Sequence, residues 1–166
     1  MALTKIQVGM ADAPVAMTAV ASTSGTSIDF TGIPSTAKRI TVMFSGVSTN
    51  GSSNLQVQIG SGSFTTSGYL GAMGYAGAGS TAALITTGFG VANGFAASGV
   101  IHGGLTIVNI SSNSWVAFLS GGYSSAASTL TGGGSVSLAG VLDRVRFTTV
   151  NGTDTFDAGT INIFYE

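Results

Sequence analysis

The chain has 166 residues, of which 7% are charged and 44% hydrophobic, with 26 glycines, no cysteine and a net charge of −1. Soluble domains usually carry roughly 25% charged residues; so low a charge with this apolar content excludes charged disorder, and the length suits one domain with one buried core. Five basic residues are too few and too scattered to track phosphates, which excludes nucleic acid as a partner, and the absence of cysteine excludes disulfide staples and thiolate metal sites.

In chain order, residues 1–25 form a first unit. They are small and mildly apolar (Val15, Ala16, Met17, Val20, Ala21), end in Ser22-Thr23-Ser24-Gly25, and read as either an edge strand or an arm that packs on a neighbour. Gln7 and Asp12 interrupt any apolar run, so no secretory signal is expected. No apolar window reaches the roughly 18 residues of a membrane-spanning helix. The expectation is synthesis in a cytoplasm and delivery by assembly.

Residues 26–166 form the second unit, rich in Gly, Ser and Thr. Gly costs about 1 kcal/mol per helical position relative to Ala, and Thr is β-branched, so these residues favour strands and turns. Ser27-Ile28-Asp29-Phe30 alternates, and Gly32 to Ser35 makes a turn. Lys38 to Val47 then places Ile40, Val42 and Phe44 on one face. Thr49 to Asn54 contains Asn50-Gly51, a hairpin signal, and Leu55 to Ile59 is the expected return strand. Residues 60–100 carry recurrent Gly between Tyr69, Tyr75, Leu84 and Phe89, and predict short strands with long connections. Leu105 to Ile110, a turn at Ser111 to Ser114, and Trp115 to Leu119 form a second hairpin. A glycine link, Gly132 to Gly134, leads to Ser135 to Leu138. Arg144 to Val150 and Thr160 to Tyr165 close the chain around Asn151-Gly152-Thr153. Short strands at even spacing predict an all-β, jelly-roll-like β-sandwich.

The acid–base inventory is nearly empty. A Ser-His-Asp arrangement would have to use His102, the one histidine, and no nucleophile-elbow motif surrounds any serine. The one Glu is Glu166, which leaves little for a glycosidase pair. Asp154 and Asp157 have oxygen-rich spacing that suits either a calcium ion or an Asx turn. Gly74 to Gly79 lacks the Lys of a phosphate loop. No enzymatic activity and no cofactor are expected. Trp115 is expected in a core or between subunits, and Arg39, Arg144 and Arg146 are expected to pair with Asp143 or Asp157.

Between Ile40 and Leu142 there is no Asp, Glu, Lys or Arg. Two explanations compete. Near a symmetry axis each charge meets its own copy, so neutral side chains favour packing against identical subunits. Alternatively a neutral ligand such as a glycan is bound through hydroxyls and aromatic faces, with Tyr69, Tyr75 and Tyr123 as the contacts. For each of those tyrosines, filling of a core or interface is the favoured reading over ligand contact.

Three strings resemble modules of tailed-bacteriophage tail-fibre and other virion structural proteins: Ser27 to Pro34 with Lys38 to Gly51, Gly133 to Phe147, and Asn151 to Glu166. They span roughly residues 26–166 and hold no catalytic residues. The resemblance implies a homotrimeric β-sandwich on the outside of a virion, of the tail-fibre or spike type, with host surface glycan as a possible ligand. Only residues 1–25 precede the module, so the alternative is a trimeric capsid decoration protein that docks on other virion proteins through that arm. A free carbohydrate-binding lectin is a more distant option. An outer-membrane barrel lacks support, because regular alternating strands are missing from the middle.

Overall fold

The computed structural model describes residues 13–77 and 80–166, so residues 1–12 of the expected arm, and Ala78 and Gly79 of the Gly-rich stretch, lie outside the described residues. The strands in chain order are β1 (Val15–Ala16), β2 (Val20–Ala21), β3 (Ser27–Thr31), β4 (Arg39–Thr49), β5 (Leu55–Ser61), β6 (Ser63–Phe64) and β7 (Leu70–Ala76). They continue with β8 (Thr81–Ile85), β9 (Phe89–Ala92), β10 (Ile101–Ser111), β11 (Ser114–Tyr123), β12 (Ser128–Ser137), β13 (Arg144–Thr149) and β14 (Phe156–Tyr165). The protein is all-β, as its Gly, Thr and β-branched content predicts.

Two antiparallel sheets face each other. The larger runs β1-β14-β4-β10-β11-β12-β7-β8, with β2 also on β14; the smaller runs β3-β13-β5-β6, with β9 also on β5. Alternation supplies the core between them. Ile40, Val42 and Phe44 of β4 point inward, as do Leu105 and Ile107 of β10 and Ile161 and Ile163 of β14. From the smaller sheet come Ile28, Phe30, Val57, Ile59, Val145 and Phe147. Phe147 lies 5.5 Å from Phe44 and 5.9 Å from Phe156 between ring centroids, joining the layers. Each such side chain contributes about 1.5–3 kcal/mol by leaving water. Trp115 is buried in this core, and its indole N–H makes no hydrogen bond among the described residues.

Several local expectations are corrected. Thr49 to Asn54 does not close a hairpin: β4 belongs to the larger sheet and β5 to the smaller, so the turn carries the chain across the sandwich. Gly51 is not among the residues with positive φ. The turn after β13 crosses in the opposite direction at the same end, and the two clasp each other. Asn50 N–H donates to the Thr155 carbonyl at 2.9 Å, and Thr155 N–H donates to Asn50 Oδ1 at 2.9 Å. Gly132 to Gly134 are no link. They lie inside β12, paired to Leu119, Phe118 and Ala117 on one side and to Met73, Ala72 and Gly71 on the other. Pairing on both sides supplies what glycine lacks in strand propensity. In residues 60–100 the strands are short, as predicted, but the connections are short too, and β7 and β8 pair directly. The hairpin of β10 and β11 forms as predicted, closed by Ser111 opposite Ser114 with Ser112 left-handed at φ 41.

Val15 and Ala16 pair with Tyr165 and Phe164, and Val20 with Ile161, so residues 15–21 line the edge of the larger sheet. Ser22 Oγ donates to the Ala158 carbonyl at 2.8 Å and fastens that segment.

Candidate functional site

The residues singled out for acid–base or metal chemistry do not converge. His102 sits on β10, where the register against β4 shifts, and its Nδ1 accepts a hydrogen bond from Gly46 N–H at 3.1 Å. Gly122 of β11 lies directly across from it, the adjoining pairs to β4 are Ile101 with Val47 and Gly103 with Phe44, and no serine or aspartate hydrogen-bonds to its ring among the described residues. Asp154 accepts from Ser53 N–H at 2.9 Å and from Asn151 Nδ2 at 2.6 Å. Asn151 Oδ1 in turn accepts from Thr153 N–H at 3.0 Å and Asp154 N–H at 3.2 Å, which is an Asx turn. Asp157 accepts from the Ser48 hydroxyl. Asp154 is thus committed to the two crossing turns and Asp157 to β4, and no group of three His, Asp or Glu side chains among the described residues is placed to share an ion.

The tyrosines go inward. Tyr69 is buried, edge-on to Phe89 at 5.0 Å, and its hydroxyl donates to the Thr65 carbonyl at 3.1 Å while accepting from Ile59 N–H at 2.9 Å. Burial pushes its pKa up to about 12. Tyr123 is buried and stacked on Phe95 at 5.6 Å, and its hydroxyl accepts from Ala96 N–H at 3.0 Å. Tyr75 is half-buried and packs against the core. The Gly-rich context of these residues resembled surface loops. In the folded chain Tyr69 and Tyr123 instead bond to backbone deep in the sandwich and present no aromatic face to solvent.

The charges cluster away from the middle of the chain. Arg39 pairs with Glu166, Arg144 with the adjacent Asp143 at 2.7 Å, and Arg146 bidentately with Asp29 at 2.8 and 2.7 Å. The Arg144 contact is the expected one; Asp157 has no arginine, and Asp29 was missed as a partner because only the β3–β13 register brings it opposite Arg146. Arg146 also covers the Phe64 ring at 4.0 Å.

The largest consequence is a face, not a pocket. The outward residues of the larger sheet form continuous rows across its strands. One row runs Phe164, Thr41, Thr106, Phe118, Gly133, Ala72, Leu84; the next runs Asn162, Met43, Gly104, Ser120, Thr131, Gly74, Ala82. Neither row holds a charge. Leu84 is 87% exposed and Phe118 is 60% exposed, and Leu70, Ile110 and Met43 are also open to solvent. The charge-free span of the sequence supplies β10, β11, β12, β7 and β8 of this sheet and nearly all of β4, together with β5, β6 and β9 of the smaller sheet. The β8 edge of the larger sheet, Thr81-Ala82-Ala83-Leu84-Ile85, carries no Lys or Pro to block further strand pairing.

No family model, curated protein or solved structure matches the chain.

Proposed function

We propose that the protein is a structural subunit of a tailed-bacteriophage virion surface, of the tail-fibre or spike type, and that it assembles with copies of itself as a trimer. The observation that carries this is the outer face of the larger sheet, which has two full rows without a charge beside the Arg39–Glu166 pair, and holds Phe118, Leu84, Leu70 and Ile110 in water. Each of these side chains gains about 1.5–3 kcal/mol on burial, and an apolar sheet face is a common mark of a surface that is covered in use. Neutral rows suit an identical partner, because no residue in them meets a like charge from its own copy. The virion assignment rests on the resemblance of residues 26–166 to tail-fibre modules and on the acid–base inventory, which offers no assembled catalytic group among the described residues.

Sedimentation equilibrium of the purified chain at micromolar concentration tests the assembly: a trimer is expected, and a monomer overturns it. Gold-labelled antibody against the chain tests the location on phage particles. Label on the tail supports the tail-fibre reading, and label spread over the head overturns it in favour of capsid decoration.

A further inference from the structure

The outer face of the smaller sheet is built differently from that of the larger one. Its two central rows are Gln56, Thr148, Ser27 and Gln58, Arg146, Asp29, each aligned across β5, β13 and β3. Side chains on the outside of a sheet ordinarily stand in water, yet Gln56 is 2% and Gln58 6% exposed. The connection between β8 and β9 lies over them. Thr87 Oγ1 donates to Gln56 Oε1 at 2.8 Å, and Gln58 Nε2 donates to the Thr87 carbonyl at 2.9 Å. Gly88 makes this approach feasible, since a Cβ there would come within 2.7 Å of Gln56 Oε1. Beside the clamped amides a groove of about 370 Å³ opens, with Ser27, Thr66, Arg146 and Thr148 on its walls and floor.

The groove has a definite chemical character. The Gln58 amide oxygen and the Ser27 and Thr66 hydroxyls make no hydrogen bond among the described residues, and none of them is a buried orphan, so they meet solvent there. Arg146 spends Nε and Nη2 on Asp29 and keeps Nη1 for a further acceptor. Its charge is matched by the Asp29 carboxylate, which disfavours phosphate and other anions. Apolar lining is sparse, which disfavours a peptide side chain or a lipid. What remains is a charge-balanced array of hydroxyl, amide and guanidinium groups, and a volume in the range of small-ligand sites. Because Thr87 holds both glutamines in place before any ligand arrives, little ordering cost remains on binding.

The geometry points to this groove as a binding site for a neutral saccharide, with Gln58, Ser27, Thr66 and Arg146 as the hydrogen-bonding residues. It deepens the virion-surface reading by naming the ligand class and placing it on the sheet opposite the assembly face. It also relocates the saccharide contacts away from the tyrosines.

Saturation-transfer NMR on the full chain with glucose, galactose, N-acetylglucosamine, a neutral oligosaccharide of each, and glucuronate provides the test. Transfer to at least one neutral sugar is expected, with affinity reduced tenfold or more by Ser27→Trp, which fills the groove from the surface, and by Gln58→Met. Circular dichroism melting confirms that each variant is folded, and Thr66→Trp serves as a second blocking variant if Gln58→Met unfolds. No transfer from any neutral sugar at millimolar concentration overturns the proposal. So does transfer that survives Ser27→Trp and Thr66→Trp, or a preference for glucuronate. Running the titration on Phe118→Asp as well separates the two readings. A trimer that binds no sugar overturns only the groove; a monomer that binds sugar overturns only the assembly.

Discussion

The carboxylate of Asp154 occupies the space that a Cβ on Gly51 would need. The two residues belong to the two turns that cross between the sheets at one end of the sandwich, and their contact locks those turns together. Gly51 is required here for close approach, since its φ is not positive.

Gly51→Ala therefore expels the Asp154 carboxylate from its bonds to Ser53 N–H and Asn151 Nδ2. A loss of about 1–3 kcal/mol is expected, measured by urea denaturation. In an Asp154→Ala background the same substitution should cost far less, because the collision is gone; additive costs in the double-mutant cycle would refute the contact as the cause.

Tyr69 sets a limit at alkaline pH. Its pKa is raised from 10.0 to about 12 in the folded chain. Between those values the folded state holds a proton that the unfolded state has lost, so stability is full below pH 10 and falls as pH rises toward 12. The loss is on the order of 2 kcal/mol. Tyr69→Phe should remove this slope, seen by denaturation at a series of alkaline pH values. It should also cost about 1–2 kcal/mol at neutral pH, because Ile59 N–H then has no acceptor.

At the acid end the relevant group is Asp143. Its hydrogen bond from the Arg144 guanidinium lowers its pKa below the ordinary carboxylate value. The contribution to stability is present above that ordinary value and disappears as pH falls through the depressed one. Asp143→Asn should flatten the stability profile across that acidic window and, at neutral and alkaline pH, lower it by a constant amount without changing its slope.

On the outer face of the larger sheet, Phe118→Asp and Leu84→Lys should abolish assembly while altering the stability of the isolated fold by no more than about 0.5 kcal/mol, since neither side chain belongs to the core. Light scattering and thermal melting at low concentration together check this. A large fall in the melting temperature of the monomer would mean that these side chains support the sandwich itself.

The period-two strands were legible because alternation is local. Ile40, Val42 and Phe44 face inward as their spacing predicts, and β10 and β11 pair across the turn that their sequence announces. Partner choice was not legible. Asn50-Gly51 signals a turn but carries no information about whether the next strand pairs back or crosses to the other sheet. Glycines 132 to 134 read as a linker because their strand character comes wholly from β11 and β7 on either side. Tyr69 illustrates the same limit: its partners Thr65 and Ile59 are near in sequence, but only folding of the Gly-rich stretch over β5 buries it. The absence of charge from Ile40 to Leu142 was plain in the sequence. Its division between five neighbouring strands of the larger sheet and three of the smaller depended on strand order, which no local pattern encodes. The clamped glutamines escaped notice for a similar reason, since Gln-X-Gln on an alternating strand ordinarily marks a solvated face.

β14 lies between β4 on one side and β1 and β2 on the other, so residues near both ends of the chain meet in the larger sheet. During synthesis β4 is therefore without one of its two neighbours until residues 156–165 have left the ribosome. Until then its flank stays open to other chains, and the early strands β1 and β2 have nothing to join. Such distant pairing closes on a scale of milliseconds to seconds rather than microseconds. A protein built this way cannot complete the larger sheet before β14 is made, and at high expression it competes with its own aggregation for that strand.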